Sequence, residues 1–142
     1  MVCAIGAGSK FYLGGSITFP GLAPITRLEE VIQIGGHQKK LFFNPTAQSI
    51  RVEPNPYDPG WVGGVGGELI NDDPPWIFER GRMWGVVFDS AGNVLGGGQG
   101  YANAQMPPGT RQVFKLTQGF DAIALDKASY ALVSSVPSYL AP

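Results

Sequence analysis

The chemistry-bearing residues closest to a known pattern come first in the chain. The apolar run Met1–Ile5 leads into Gly6-Ala7-Gly8 and Lys10, as a strand does when it delivers a tight turn to a pyrophosphate. A dinucleotide site needs a third glycine at position 11 and then a helix whose first N–H groups face the phosphates. Position 11 is Phe, and the residues that would form the helix read YLGGSITFPGLAP. Gly14-Gly15, the β-branched side chains, Pro20 and Pro24 all oppose a helix there. Glu29 and Glu30 lie at a suitable distance for a ribose contact, but ahead of VIQI rather than at its end. Lys10 lacks the spacing of a phosphate loop. Gly6 and Gly8 therefore read as turn residues, and no nucleotide cofactor is expected.

Counting limits metal and nucleophile chemistry. With one histidine, His37, and one cysteine, Cys3, neither a two-His-one-Cys copper site nor a His-rich zinc site fits within one chain. A Cys3–His37 dyad has no third group to orient it. Glu68 with Asp72-Asp73 forms an acidic cluster, read as a solvated turn before Pro74-Pro75, and Asp89 with Asn93 reads as hairpin geometry. Nothing selects a catalytic pair among the eleven carboxylates. The expectation is a protein without metal or cofactor, and not an enzyme. Three aromatics remain as ligand-binding candidates: Tyr57, Trp61 and Trp76 sit in or beside Pro/Gly loops, where flat faces can meet a sugar or a partner surface. The competing and favoured reading has Trp61 and Trp76 plugging the ends of the fold. Trp84, inside an alternating strand, is expected to be core.

The scaffold is that of one domain. At 142 residues the chain is long enough for a core, 44% of it is apolar, and Gly (21) with Pro (12) makes up nearly a quarter. The glycines alternate with Val, Ile, Phe, Trp and Tyr, which favours short strands joined by turns. A net charge of −1, with Lys39-Lys40 and Arg80/Arg82 as the local basic pairs, argues against nucleic acid as a partner. No apolar run is long enough for a membrane span, and no charged n-region and apolar h-region mark a signal peptide in this chain. Cys3 allows no internal disulfide; it reads as a small strand residue rather than a lipid-attachment site.

Strands are expected over 10–19, kinked at Gly14-Gly15, and over 39–43, with a short helix at 26–34 capped by Thr26 and Glu29. Further strands are expected over 49–54, 61–71, a run including 82–89, 94–103, 111–117 and 127–137. In RMWGVVFD, Trp84, Val86 and Phe88 share one face, and Met83 and Val87 the other. Asp89-Ser90-Ala91-Gly92-Asn93 is a hairpin loop, Met106-Pro107-Pro108-Gly109-Thr110 a sharp corner, and 121–126 a connector. Turn signals every eight to twelve residues, with almost no helical periodicity, predict an all-β antiparallel sandwich.

The run VVFDSAGNVLGGGQGYANAQMPPGTRQVFKL, followed by ASYALVSS, resembles the FxLYD-type domains. The shared features are Phe88-Asp89 at a strand end, Gly92 in the loop, the Pro107-Pro108-Gly109 corner, the aromatic Phe114 and the final Ser129-Tyr130 strand. GGVGGELINDDPPW sits where that family has its G-x-V-x-N strand and turn. The likeness covers roughly 49–137. Gly85 and Val87 depart from the family's Phe and Leu, and Phe88 replaces its Tyr. Residues 1–48 have no counterpart and read as an extension or additional strands. The resemblance implies an immunoglobulin-like fold and a non-catalytic structural or interaction module, at the cell surface or outside the cell.

The expected mechanism is binding to a protein partner, or self-association, by strand addition at an exposed edge. The charge-poor stretches 61–71 and 94–101 are the candidate edges. The alternative is a carbohydrate-binding module using Tyr57, Trp61 and Trp76.

Overall fold

The computed structural model describes residues 45–72, 77–102 and 105–140, with side chains except at Phe78 and 136–140. Six strands follow in order: β1 (Thr46–Pro54), β2 (Val62–Ile70), β3 (Ile77–Phe88), β4 (Val94–Ala102), β5 (Arg111–Leu116) and β6 (Tyr130–Leu140). They form two antiparallel three-stranded sheets, ordered β1-β2-β5 and β4-β3-β6. The chain is an all-β sandwich, and no helix occurs among the described residues. Its strand order is that of strands A-B-E and C′-C-F in immunoglobulin domains. The expected strands at 10–19 and 39–43, the helix at 26–34 and the turn at Gly6 and Gly8 lie outside the described residues.

Turn chemistry fixes the corners. Asp89 Oδ1 accepts the N–H groups of Ala91 (2.9 Å) and Asn93 (2.8 Å), and Gly92 takes φ 85°. At the second corner Thr110 N donates to Pro107 O at 3.1 Å and Gly109 sits at φ 78°. That is the positive φ which a type II turn demands at its third position. Asn71, fully buried, holds this corner from inside: its Nδ2 donates to Met106 O (2.7 Å), its N to Thr110 O (3.1 Å), and its carbonyl accepts from Gly109 N (2.6 Å). Asn71→Ala leaves the Met106 carbonyl without this donor. The expected cost is about 1–3 kcal/mol, read as a lower urea midpoint at unchanged m-value.

The core lies between the sheets. Val65 and Leu69 of β2, Met83 and Val87 of β3, Phe114 and Leu116 of β5, and Phe120 and Ile123 between β5 and β6 are its main members. Glycines of the facing sheet make room for the large ones. A Cβ at Gly96 would lie 2.9 Å from Ile123, one at Gly98 2.5 Å from the Phe120 ring, and one at Gly100 2.9 Å from Leu116. Glycine abundance here is a packing device.

This corrects one expectation about edges. Stretch 61–71 is no edge, because β2 is the central strand of its sheet. It carries one charge, Glu68, because most of it is buried. Strand β4 is an edge of its own sheet, but it is tied to the segment after β5. Gln99 N donates to Gln118 O (2.9 Å) and Gln118 N to Gln99 O (3.3 Å). The sandwich is thus bridged on that side. On the other side β1 and β6 run beside each other.

Candidate functional site

The two outer faces of the sandwich are built differently. On the β1-β2-β5 sheet, Glu53 pairs with Lys115 (2.7 Å) and Arg51 (3.0 Å), and Glu68 accepts from Gln48 Nε2 (2.9 Å) with Arg111 at 4.0 Å. The hydrogen bond from Lys115 holds the Glu53 carboxyl below its ordinary 4.5, against a partial burial that would raise it; the charge of Lys115 and that of Arg51 act in the same direction. A depressed carboxyl stabilises the fold above its unfolded pKa, and that contribution is lost as pH falls through the native value. Stability is therefore expected to decline from about pH 5 downwards, with a shallower decline in Glu53→Gln. Urea midpoints across that range check this.

On the β4-β3-β6 sheet, Arg82, Trp84, Val86 and Phe88 point away from the core, since Met83, Gly85 and Val87 face it. Trp84 is 2% exposed and Val86 8%. The sequence places Trp84 in the core; its burial agrees, but it lies on the outer face rather than between the sheets. Aromatic pairs mark the two ends of this face. Arg82 Nε donates to Tyr101 Oη (3.0 Å), as does a second guanidinium nitrogen, and the guanidinium lies 5.3 Å from the ring centroid. At the other end Phe88 and Tyr130 stack at 5.0 Å. Tyr101 and Tyr130 remain 47% and 43% exposed.

Among the described strands β1, β5, β4 and β6 each have one hydrogen-bonded neighbour; β4 is bridged to Gln118, and β1 and β6 lie beside each other without pairing. Strand β1 is blunted by its irregularity between Gln48 and Arg51, by Ser49 at φ 52°, and by Arg51, Glu53 and Pro54. Strand β6 carries none of these charges. Its sequence is YALVSSVPSYL, eleven uncharged residues in which seven precede Pro137. Natural edges are normally guarded by charge, proline or a bulge. The run 130–136 is not.

The loop aromatics are only partly brought together. The 55–61 loop is closed by Asn55 N donating to Trp61 O (2.8 Å) and Trp61 N to Asp58 O (3.0 Å). Tyr57, 96% exposed, donates its N–H to Asn55 Oδ1 (3.0 Å) and borders a shallow depression with Asn55, Lys115, Thr117 and Asp121. Trp61 does not line that depression. At 41% exposure it does not plug the fold either. Trp76 lies outside the described residues.

The remaining polar candidates are occupied structurally. Asp72 accepts from Thr46 Oγ1 (2.8 Å), and Asp73 is outside the described residues. Asp89 serves its turn, where the side-chain hydrogen bond from Asn93 (2.8 Å) and the backbone N–H groups lower its pKa. Among the described residues no acidic, His or Cys group is arranged to hold a metal, and no helix is long and apolar enough to cross a membrane. Sequence reasoning missed the β6 edge, although its uncharged run was legible in YALVSSV. It also missed the apolar outer face, although the alternation of Trp84, Val86 and Phe88 was read correctly. No family model, curated protein or solved structure matches the chain.

Proposed function

We propose that the chain is a non-catalytic interaction module that associates with a protein, in the first place a second copy of itself, by adding a strand along β6. The observation that carries this reading is the uncharged run Tyr130–Val136 on an outer strand whose hydrogen-bonded neighbour in its sheet is β3. In immunoglobulin domains that edge of strand F is where strand G pairs. Main-chain N–H and C=O groups supply affinity to an added strand, and the side chains flanking it supply selectivity. The likeness of 49–137 to FxLYD-type domains supports the same class of function, and with it a surface or assembled parent protein.

Successive N–H groups of a strand point to opposite sides, so Leu132→Pro and Val133→Pro differ in kind. One removes a donor to β3, the other a donor on the outer side of β6. The expected result is a scattering mass that rises with concentration for the natural chain. One of the two proline variants keeps its circular dichroism but stays monomeric. A natural chain that remains monomeric at millimolar concentration contradicts the proposal. A sugar platform has narrower support, because of its two described aromatics Tyr57 lines the depression and Trp61 does not.

A further inference from the structure

The outer face of the β4-β3-β6 sheet presents a contradiction between position and exposure. Side chains at 82, 84, 86 and 88 alternate with the core-facing row, and the opposing sheet packs against that other row. A face with nothing over it would leave a tryptophan at its centre open to water. Trp84 and Val86 are nonetheless 2% and 8% exposed, while the aromatic ends of the same face, Tyr101 and Tyr130, stay 47% and 43% open. Burial is thus confined to the middle, as it would be under a strip of chain crossing the sheet. The opposite outer face, with its Arg51–Glu53–Lys115 pairs, is made for water by comparison.

No described strand packs on this side. Among the undescribed stretches, 73–76 ends where β3 begins, eight residues and roughly 27 Å from Trp84. Residues 103–104 and 141–142 are too short to cross a sheet. Residues 1–44 are long enough and have the right composition, with Phe11, Tyr12, Leu13, Ile17 and Phe19 in one short run. They also start from the right place. The chain enters β1 at Pro45, which is buried, and β1 runs beside β6, the near edge of the sheet in question.

We infer that this face, centred on Trp84 and Val86, is the docking surface for the chain's own residues 1–44. The inference is independent of strand addition at β6, which concerns an edge rather than a face.

The test uses the full-length chain with Cys3→Ser, carrying a nitroxide at Ser16→Cys or, separately, at Gln33→Cys. Amide signals are followed in dilute, isotopically labelled protein. At least one label is expected to broaden residues 84–87, 97–99 and 132–134 together, sparing Arg51, Gly66 and Lys115 on the far sheet, about 10 Å further away. A mixture of nitroxide-bearing unlabelled chains with isotopically labelled chains lacking the nitroxide is expected to show no broadening. If neither label broadens the face, the inference is overturned. Broadening of β6 and β1 without β4 also overturns it, by placing the segment at the edge. Broadening only in the mixture assigns the face to a second copy and overturns it equally.

Discussion

Gly98→Val is expected to yield no folded protein: near-UV circular dichroism is lost and the amide spectrum collapses. Even an alanine Cβ there would stand 2.0 Å from Gln118 O and 2.5 Å from the Phe120 ring. Relief requires breaking the Gln99–Gln118 pair that bridges the sheets or expelling Phe120 from the core. Overpacking alone typically costs about 1–3 kcal/mol, and here it is added to the loss of two backbone hydrogen bonds. Valine's two further methyls bring the sum within reach of the whole stability of a small domain, about 5–15 kcal/mol. A Gly98→Val protein that folds normally would show that β4 does not lie against Phe120.

Phe120→Ala is expected to destabilise by about 3–5 kcal/mol, measured as a shift in urea midpoint. Phe120 is fully buried, and it fills the space left by Gly85 as well as Gly98. A Cβ at Gly85 would meet its ring at 3.2 Å and Leu116 at 3.3 Å, a tight but yielding contact. Gly85→Ala should therefore be mildly destabilising alone and neutral or stabilising when combined with Phe120→Ala. Such non-additivity is the signature of side chains that share one cavity. Strict additivity of the two substitutions would place Phe120 elsewhere.

The same glycines explain what the sequence conceals and what it shows. The strands were legible because alternation and turn chemistry are local. RMWGVVFD declares its two faces, and Asp89–Asn93 and Pro107–Thr110 declare their turns. The sheet order was not local. VGGVGGELI has few charges both in a buried central strand and in an open edge, and only its pairing with β1 on one side and β5 on the other separates the two. Trp84 was legible as buried, yet the layer that buries it depends on residues distant in the chain. The loop aromatics illustrate the converse case. Pro/Gly surroundings put Tyr57 at the surface, as it is, whereas the favoured reading of Trp61 as an end plug fails against its exposure, and whether two rings share one platform is a matter of loop closure. Here Asn55 and Trp61 close a loop in which Tyr57 reaches the depression and Trp61 does not.

The central claim concerns β6, and amide hydrogen exchange tests it at the backbone groups involved. In dilute protein, alternate amides of Tyr130–Val133 should exchange rapidly, because every second N–H faces outward, while their neighbours bonded to β3 stay protected. On raising the concentration until the scattering mass increases, the outward set should become protected, with the free edge of β1 unchanged. Equal protection of all the β6 amides in the dilute monomer, or association that leaves the outward set exchanging as before, would contradict strand addition at this edge.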